Sequence, residues 1–263
     1  MSTKPLKGIE DLYECCCGGT FYEWIHPKSS SSTPLPVTEA QICTAPIWYN
    51  DAEALTLTED RFDPWEEEKS TWRLTRFSAG KRDERLKHRP YKTFNLESDD
   101  DLVVVKCKIR PVIAIKEVSS DWRVPDNTAN LYRTWLCLPI FRYKDRHTQR
   151  YVIRDQTLDR PHHFYFPPGL AGPGISEEGA GKFTEMQFIA EKNLTPAKSF
   201  CSAERMSLPF RLTGEAFQAV LGHIALFLPK IKVSTETLRW YDAFCELVRG
   251  EIDSVLAGGG EKA

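Results

Sequence analysis

The chain has 263 residues, with 35 Lys and Arg against 37 Asp and Glu, a formal net charge of −2 at pH 7. That balance gives no global pull toward nucleic acid or membrane, and 41% hydrophobic with 27% charged residues is the composition of a globular protein. The longest apolar run, residues 216–229, is interrupted by Gln218 and His223 and is too short to span a bilayer; the N-terminus lacks the apolar stretch of a secretory signal, so a cytoplasmic protein is expected.

Residues 11–25 are apolar and aromatic with a Gly-Gly break, and residues 26–36 form a Ser/Pro-rich loop. Residues 45–68 read as irregular. Charge then comes in blocks: 59–69 is acidic, 72–92 is basic, and 97–101 is acidic again. Trp72, Phe77, Tyr91 and Phe94 interleave the basic block, a mix that could grip single-stranded nucleic acid. Each block is bordered by its opposite, which favours pairing among themselves. The chain thus divides near residue 100, into an N-terminal elaboration (1–100) and a second part (101–263) with a cleaner pattern.

Eight cysteines include the run Cys15, Cys16, Cys17; Cys43, Cys107, Cys137, Cys201 and Cys245 are scattered. No C-x-x-C pair occurs, and three consecutive side chains point in different directions even with Cys43 and His26 available. Reduced thiols and neither metal nor cofactor are expected, with Cys107 and Cys137 acting as small hydrophobes inside strands.

Residues 102–118 are rich in Val and Ile and read as a strand, residues 131–141 as a second and residues 149–157 as a third. Residues 162–174 end in a Pro/Gly loop, and residues 182–194 suggest another strand. Apolar residues at 217, 220, 221, 224, 227 and 228 make a helical stripe, capped by Thr213 and stopped by Pro229. A second helix begins at Ser234 or Thr235, with the apolar line 238, 241, 244, 248, 252 and 255. Trp240, Tyr241 and Phe244 read as core in preference to an interface, although a homodimer through them is an option. Strands followed by helices give an α+β class.

Three pieces in order, residues 109–115 (Ile-Arg-Pro and an apolar run), residues 135–141 (Trp to Phe) and residues 183–194, resemble the PemK/MazF toxin family. The resemblance covers about three-fifths of the chain and implies a small β-barrel, here with two C-terminal helices and a long N-terminal elaboration. It implies a metal-independent endoribonuclease, in which the RNA's own 2′-hydroxyl attacks the adjacent phosphate. Its setting would be a bacterial stress, toxin–antitoxin or phage-defence system, CRISPR-associated ones among them, with an antitoxin-like protein partner. Arg110 stands at the family's arginine, a fixed charge with a planar fork for phosphate oxygens. The catalytic hydroxyl position holds Phe141, which cannot move a proton. The expected function is therefore a catalytically degenerate module that binds nucleic acid or a protein partner. The alternative is an active nuclease in which Arg142 or His163 replaces the hydroxyl beside Arg110.

Arg142, Lys144, Arg146 and Arg150 follow the second strand and, with Arg110, form the best basic patch for nucleic acid. His162 and His163 would point to opposite faces of a strand, so they do not share a metal. Glu185 and Gln187, two apart in an expected strand, would share a face and orient Arg110 or contact a base.

Overall fold

A computed structural model describes residues 9–17, 19–26, 36–49, 54–60, 71–77, 103–118, 133–168, 178–228 and 232–258. Residues 1–46 and 109–263 form one compact unit, and residues 47–108 a second. The class is α+β, with mostly antiparallel strands.

The first unit opens with helix α1 (Ile9–Cys16) and strand β1 (Tyr22–Trp24). Tyr13 is fully buried, its hydroxyl donating to the Gln156 carbonyl at 2.8 Å and its ring 5.0 Å from that of Tyr165. The segment therefore contributes to the main core. Strand β2 (Ile42–Trp48) follows. In the second unit, β3 (Leu55–Asp60) and β4 (Thr71–Arg76) pair antiparallel from Leu55↔Arg76 to Asp60↔Thr71. These strands correct the irregular reading of residues 45–68: Thr and Leu alternate at 55–58, and a pleated pair accommodates that alternation whatever the flanking charge. Most of the charge blocks, residues 61–70 and 78–102, lies outside the described residues.

Strand β5 (Cys107–Glu117) occupies the later part of the Val/Ile-rich run at 102–118, and β6 (Thr134–Arg142) the later part of the apolar run at 131–141. Val112, Ile113, Ala114 and Ile115 are all buried, the continuous apolar run of a strand covered on both faces. Residues 149–157 form no strand. They give helix α2 (Gln149–Gln156), because Thr148 caps it with its hydroxyl accepting from the Tyr151 N–H at 3.3 Å. Strand β7 (His163–Phe166), β8 (Gly179–Lys182), β9 (Gln187–Ala190) and β10 (Thr195–Pro196) complete a seven-stranded sheet of order β10-β2-β5-β6-β8-β7, with β9 also on β6. The expected strand at 182–194 is thus broken: 3-10 turns at Phe183–Glu185 and Glu191–Asn193 flank the short β9. Gly181 sits where a Cβ would come within 2.7 Å of Phe166 and 2.9 Å of Leu138, so only glycine lets β8 lie against that layer.

β11 (Lys198–Cys201) and β12 (Met206–Leu212) make a smaller sheet with β1. Helices α3 (Gly214–Phe227) and α4 (Thr235–Gly258) follow the apolar stripes. The Thr213 hydroxyl accepts from the Ala216 N–H, and the Ser234 hydroxyl from the Thr237 N–H. Tyr241, Phe244, Val248 and Ile252 are buried. The helices approach so closely that a Cβ on Gly222 would meet Tyr241 at 2.5 Å. No helix among the described residues is long and apolar enough to cross a membrane.

Candidate functional site

The candidate site lies where β6, β8 and β7 run side by side. Phe141 opposes Ala180, Ala180 opposes Tyr165, and Lys182 opposes His163. Directly opposed residues share one face, as do residues two apart on a strand, so Phe141, Lys182 and His163 stand on the same side of the sheet. Arg110 comes to this place from β5. Its guanidinium carbon lies 4.3 Å from the centre of the Phe141 ring, and the Lys182 ammonium lies 4.6 Å from it. The negative face of the ring attracts both cations and holds together two charges that repel each other. Glu185 steadies Lys182 at 3.4 Å.

A buried network on α2 backs this face. Asp155 is fully buried, and three groups reach its carboxylate: the Tyr143 hydroxyl at 2.9 Å, His163 Nδ1 at 3.0 Å and Arg160 Nε at 3.5 Å. A buried carboxylate is tolerated only with such partners. Because the carboxylate accepts, His163 carries its hydrogen on Nδ1. Burial, then Asp155, raises the Tyr143 phenol well above its ordinary value, which keeps it a donor.

Arg160 also reaches outward. Its guanidinium carbon lies 3.5 Å over the Tyr151 ring, on which the His147 imidazole stacks at 4.8 Å and 10°. Burial first, then Arg146 and Lys182, holds His147 below the ordinary imidazole value, while Asp155 opposes them. Burial, His163, Arg160 and Lys182 do the same to His162. Lys182 contributes to both shifts, so its charge is felt by both histidines.

Of the expected residues, Arg110 meets Phe141, whereas His163 is turned inward on Asp155 and only 5% exposed. Arg142, Lys144, Arg146 and Arg150 are exposed on the strand end, the tip and the first turn of α2. His162 and His163 do not point apart along one strand. His162 lies in the turn before β7, so the rings meet edge to face at 4.6 Å. Glu185 and Gln187 share no strand face: Glu185 ends a 3-10 turn and holds Lys182, while Gln187 is buried on β9 opposite Cys137. Cys137 is buried as expected, but Cys107 is exposed at the start of β5, ahead of the run that the sheet covers.

Sequence reasoning misses Lys182, Tyr143, His147, Tyr151, Asp155 and Arg160. One signal was available: Tyr151 and Asp155 stand four residues apart behind Thr148, a possible cap, on what would be one helical face inside a segment that alternates enough to read as a strand. Among the described residues no group of three or more His, Cys, Asp and Glu could hold a metal ion. Comparison with family models, with curated proteins and with solved structures returned no match for this chain.

Proposed function

We propose that the chain is a PemK/MazF-like module that binds single-stranded RNA on the Arg110–Phe141–Lys182 face and does not cut it. The observation that carries this reading is the Phe141 ring beneath two cations. Cations hold phosphates, and a ring that gathers two of them keeps the pair in place for a passing backbone, which is the sequence-independent part of single-strand binding. Arg142, Lys144, Arg146 and Arg150 extend the positive edge. Phenylalanine in the hydroxyl's place can neither take nor give a proton, so the phosphate would be held without a group to activate the attack. The accompanying defence or toxin–antitoxin setting rests on the resemblance alone, and an antitoxin-like protein is the competing occupant of this face.

A second reading, an active endoribonuclease, is favoured by one observation: Asp155 holds His163, and the partly exposed His162 ring lies edge to face against it near Lys182. The test is an end-labelled mixed-sequence RNA incubated with the protein in EDTA, beside the Arg110→Ala variant. Retardation without cleavage, weakened in the variant, is the expected result. Cleavage leaving 2′,3′-cyclic ends, abolished in the variant, would install the second reading. RNA that is neither bound nor cut would sink both.

A further inference from the structure

The cationic tip ends in a stack that phosphate binding does not use. At 3.5 and 4.8 Å from one ring centre, the Arg160 guanidinium and the His147 imidazole have no room on the same face, so the Tyr151 phenol is sandwiched between them. The inner end is anchored, since Arg160 reaches the buried Asp155. Tyr143 stands nearly perpendicular to both rings, 6.0 Å from His147 and 6.4 Å from Tyr151. Being almost equidistant, it flanks the stack and does not cap it. The Lys144 N–H donates to His147 Nδ1 at 2.9 Å, which sets the turn of the imidazole and leaves the hydrogen of the neutral ring on Nε2. Three flat groups therefore run from a buried carboxylate outward, and the last of them, His147, is only half-buried. Exposed Lys144, Arg146 and Arg150 surround that end.

We propose that the Arg160–Tyr151–His147 stack is a nucleobase subsite: a base of the bound strand continues the stack on the outer face of His147, with its phosphates on the neighbouring cations. A planar, preorganised platform loses little conformational freedom on binding, and every base has a face that fits it. This rests on the RNA-binding reading of the adjacent face and adds what that reading lacks, a place for the base.

The test compares a labelled oligouridine with an abasic ribose-phosphate chain of the same length, by fluorescence polarisation. The base-bearing chain should bind about 5- to 100-fold more tightly. His147→Ala should close that gap and leave abasic affinity unchanged, while His147→Phe should keep it; circular dichroism verifies that both variants fold. Equal affinity for the two chains in the native protein, or a gap that survives His147→Ala, overturns the subsite while the phosphate reading stands. Failure of both chains to bind overturns both.

Discussion

Arg160 and Arg110 each lie over an aromatic ring, and they do opposite things. Arg160 covers Tyr151 at 3.5 Å, its side chain is 12% exposed, and it reaches the fully buried Asp155. Arg110 covers Phe141 at 4.3 Å and shares that ring with a second cation, Lys182. The first charge is absorbed by the fold and ties the turn before β7 to α2. The second belongs to a pair of like charges gathered on one half-buried ring. The same contact chemistry therefore makes a brace in one place and a candidate landing site in the other. The deciding variable is whether a carboxylate or another cation completes the group.

The comparison breaks most severely at Asp155. Asp155→Ala leaves the buried His163 and the partly buried Tyr143 and Arg160 without their acceptor, and should cost about 3–5 kcal/mol of stability in denaturant unfolding. A loss below about 1 kcal/mol, the range of exposed pairs, would show that the network is no brace.

His223 tests the same buried half through pH. Burial lowers its pKa from 6.5 to about 4; Nε2 lies 3.2 Å from the Arg160 carbonyl and Nδ1 meets the Tyr241 hydroxyl. The unfolded chain takes the proton first, so the stability this neutral ring contributes is full above about pH 6.5, falls as pH drops, and is lost near pH 4. The drop is worth on the order of 3 kcal/mol. His223→Gln should flatten that part of the stability–pH curve; an unchanged slope would count against burial of a neutral imidazole.

A smaller effect is expected on the open face. Arg110→Ala or Lys182→Ala should weaken RNA binding by about 10-fold and flatten its salt dependence by roughly one phosphate contact, with stability nearly unchanged. A variant that unfolds before it loses RNA would move Arg110 into the brace class. The smallest change belongs to Arg150→Ala, an exposed charge on the first turn of α2: a slightly shallower salt slope and little else.

The helices were legible because their information is local. Residues three and four apart meet on one helix face, so the stripe from Phe217 to Phe227 and the cap at Thr213 could be read directly, and the cap of the last helix to within Ser234 or Thr235. The Val/Ile run of β5 and the apolar run of β6 were legible for a similar reason. α2 was not, because what it buries includes Asp155 and Gln156, residue types that composition assigns to water. The site was half legible: Arg110 and Phe141 stand out in the chain as a cation and a ring at two positions of one resemblance. Lys182, forty-one residues beyond Phe141, does not.

By itself the sequence determined the two C-terminal helices, the two central strands and the positions of the exposed basic residues after β6, since each follows from neighbours along the chain. Only the tertiary structure decided that Lys182 joins Arg110 on Phe141, that His163 turns inward to Asp155, and that Tyr151 lies between Arg160 and His147. Those meetings depend on strand register and on the helix cap that turns residues 149–156 over the sheet. Register is set by the burial of a whole face at once, so a pair of side chains distant in sequence meets only when every strand between them has found its place.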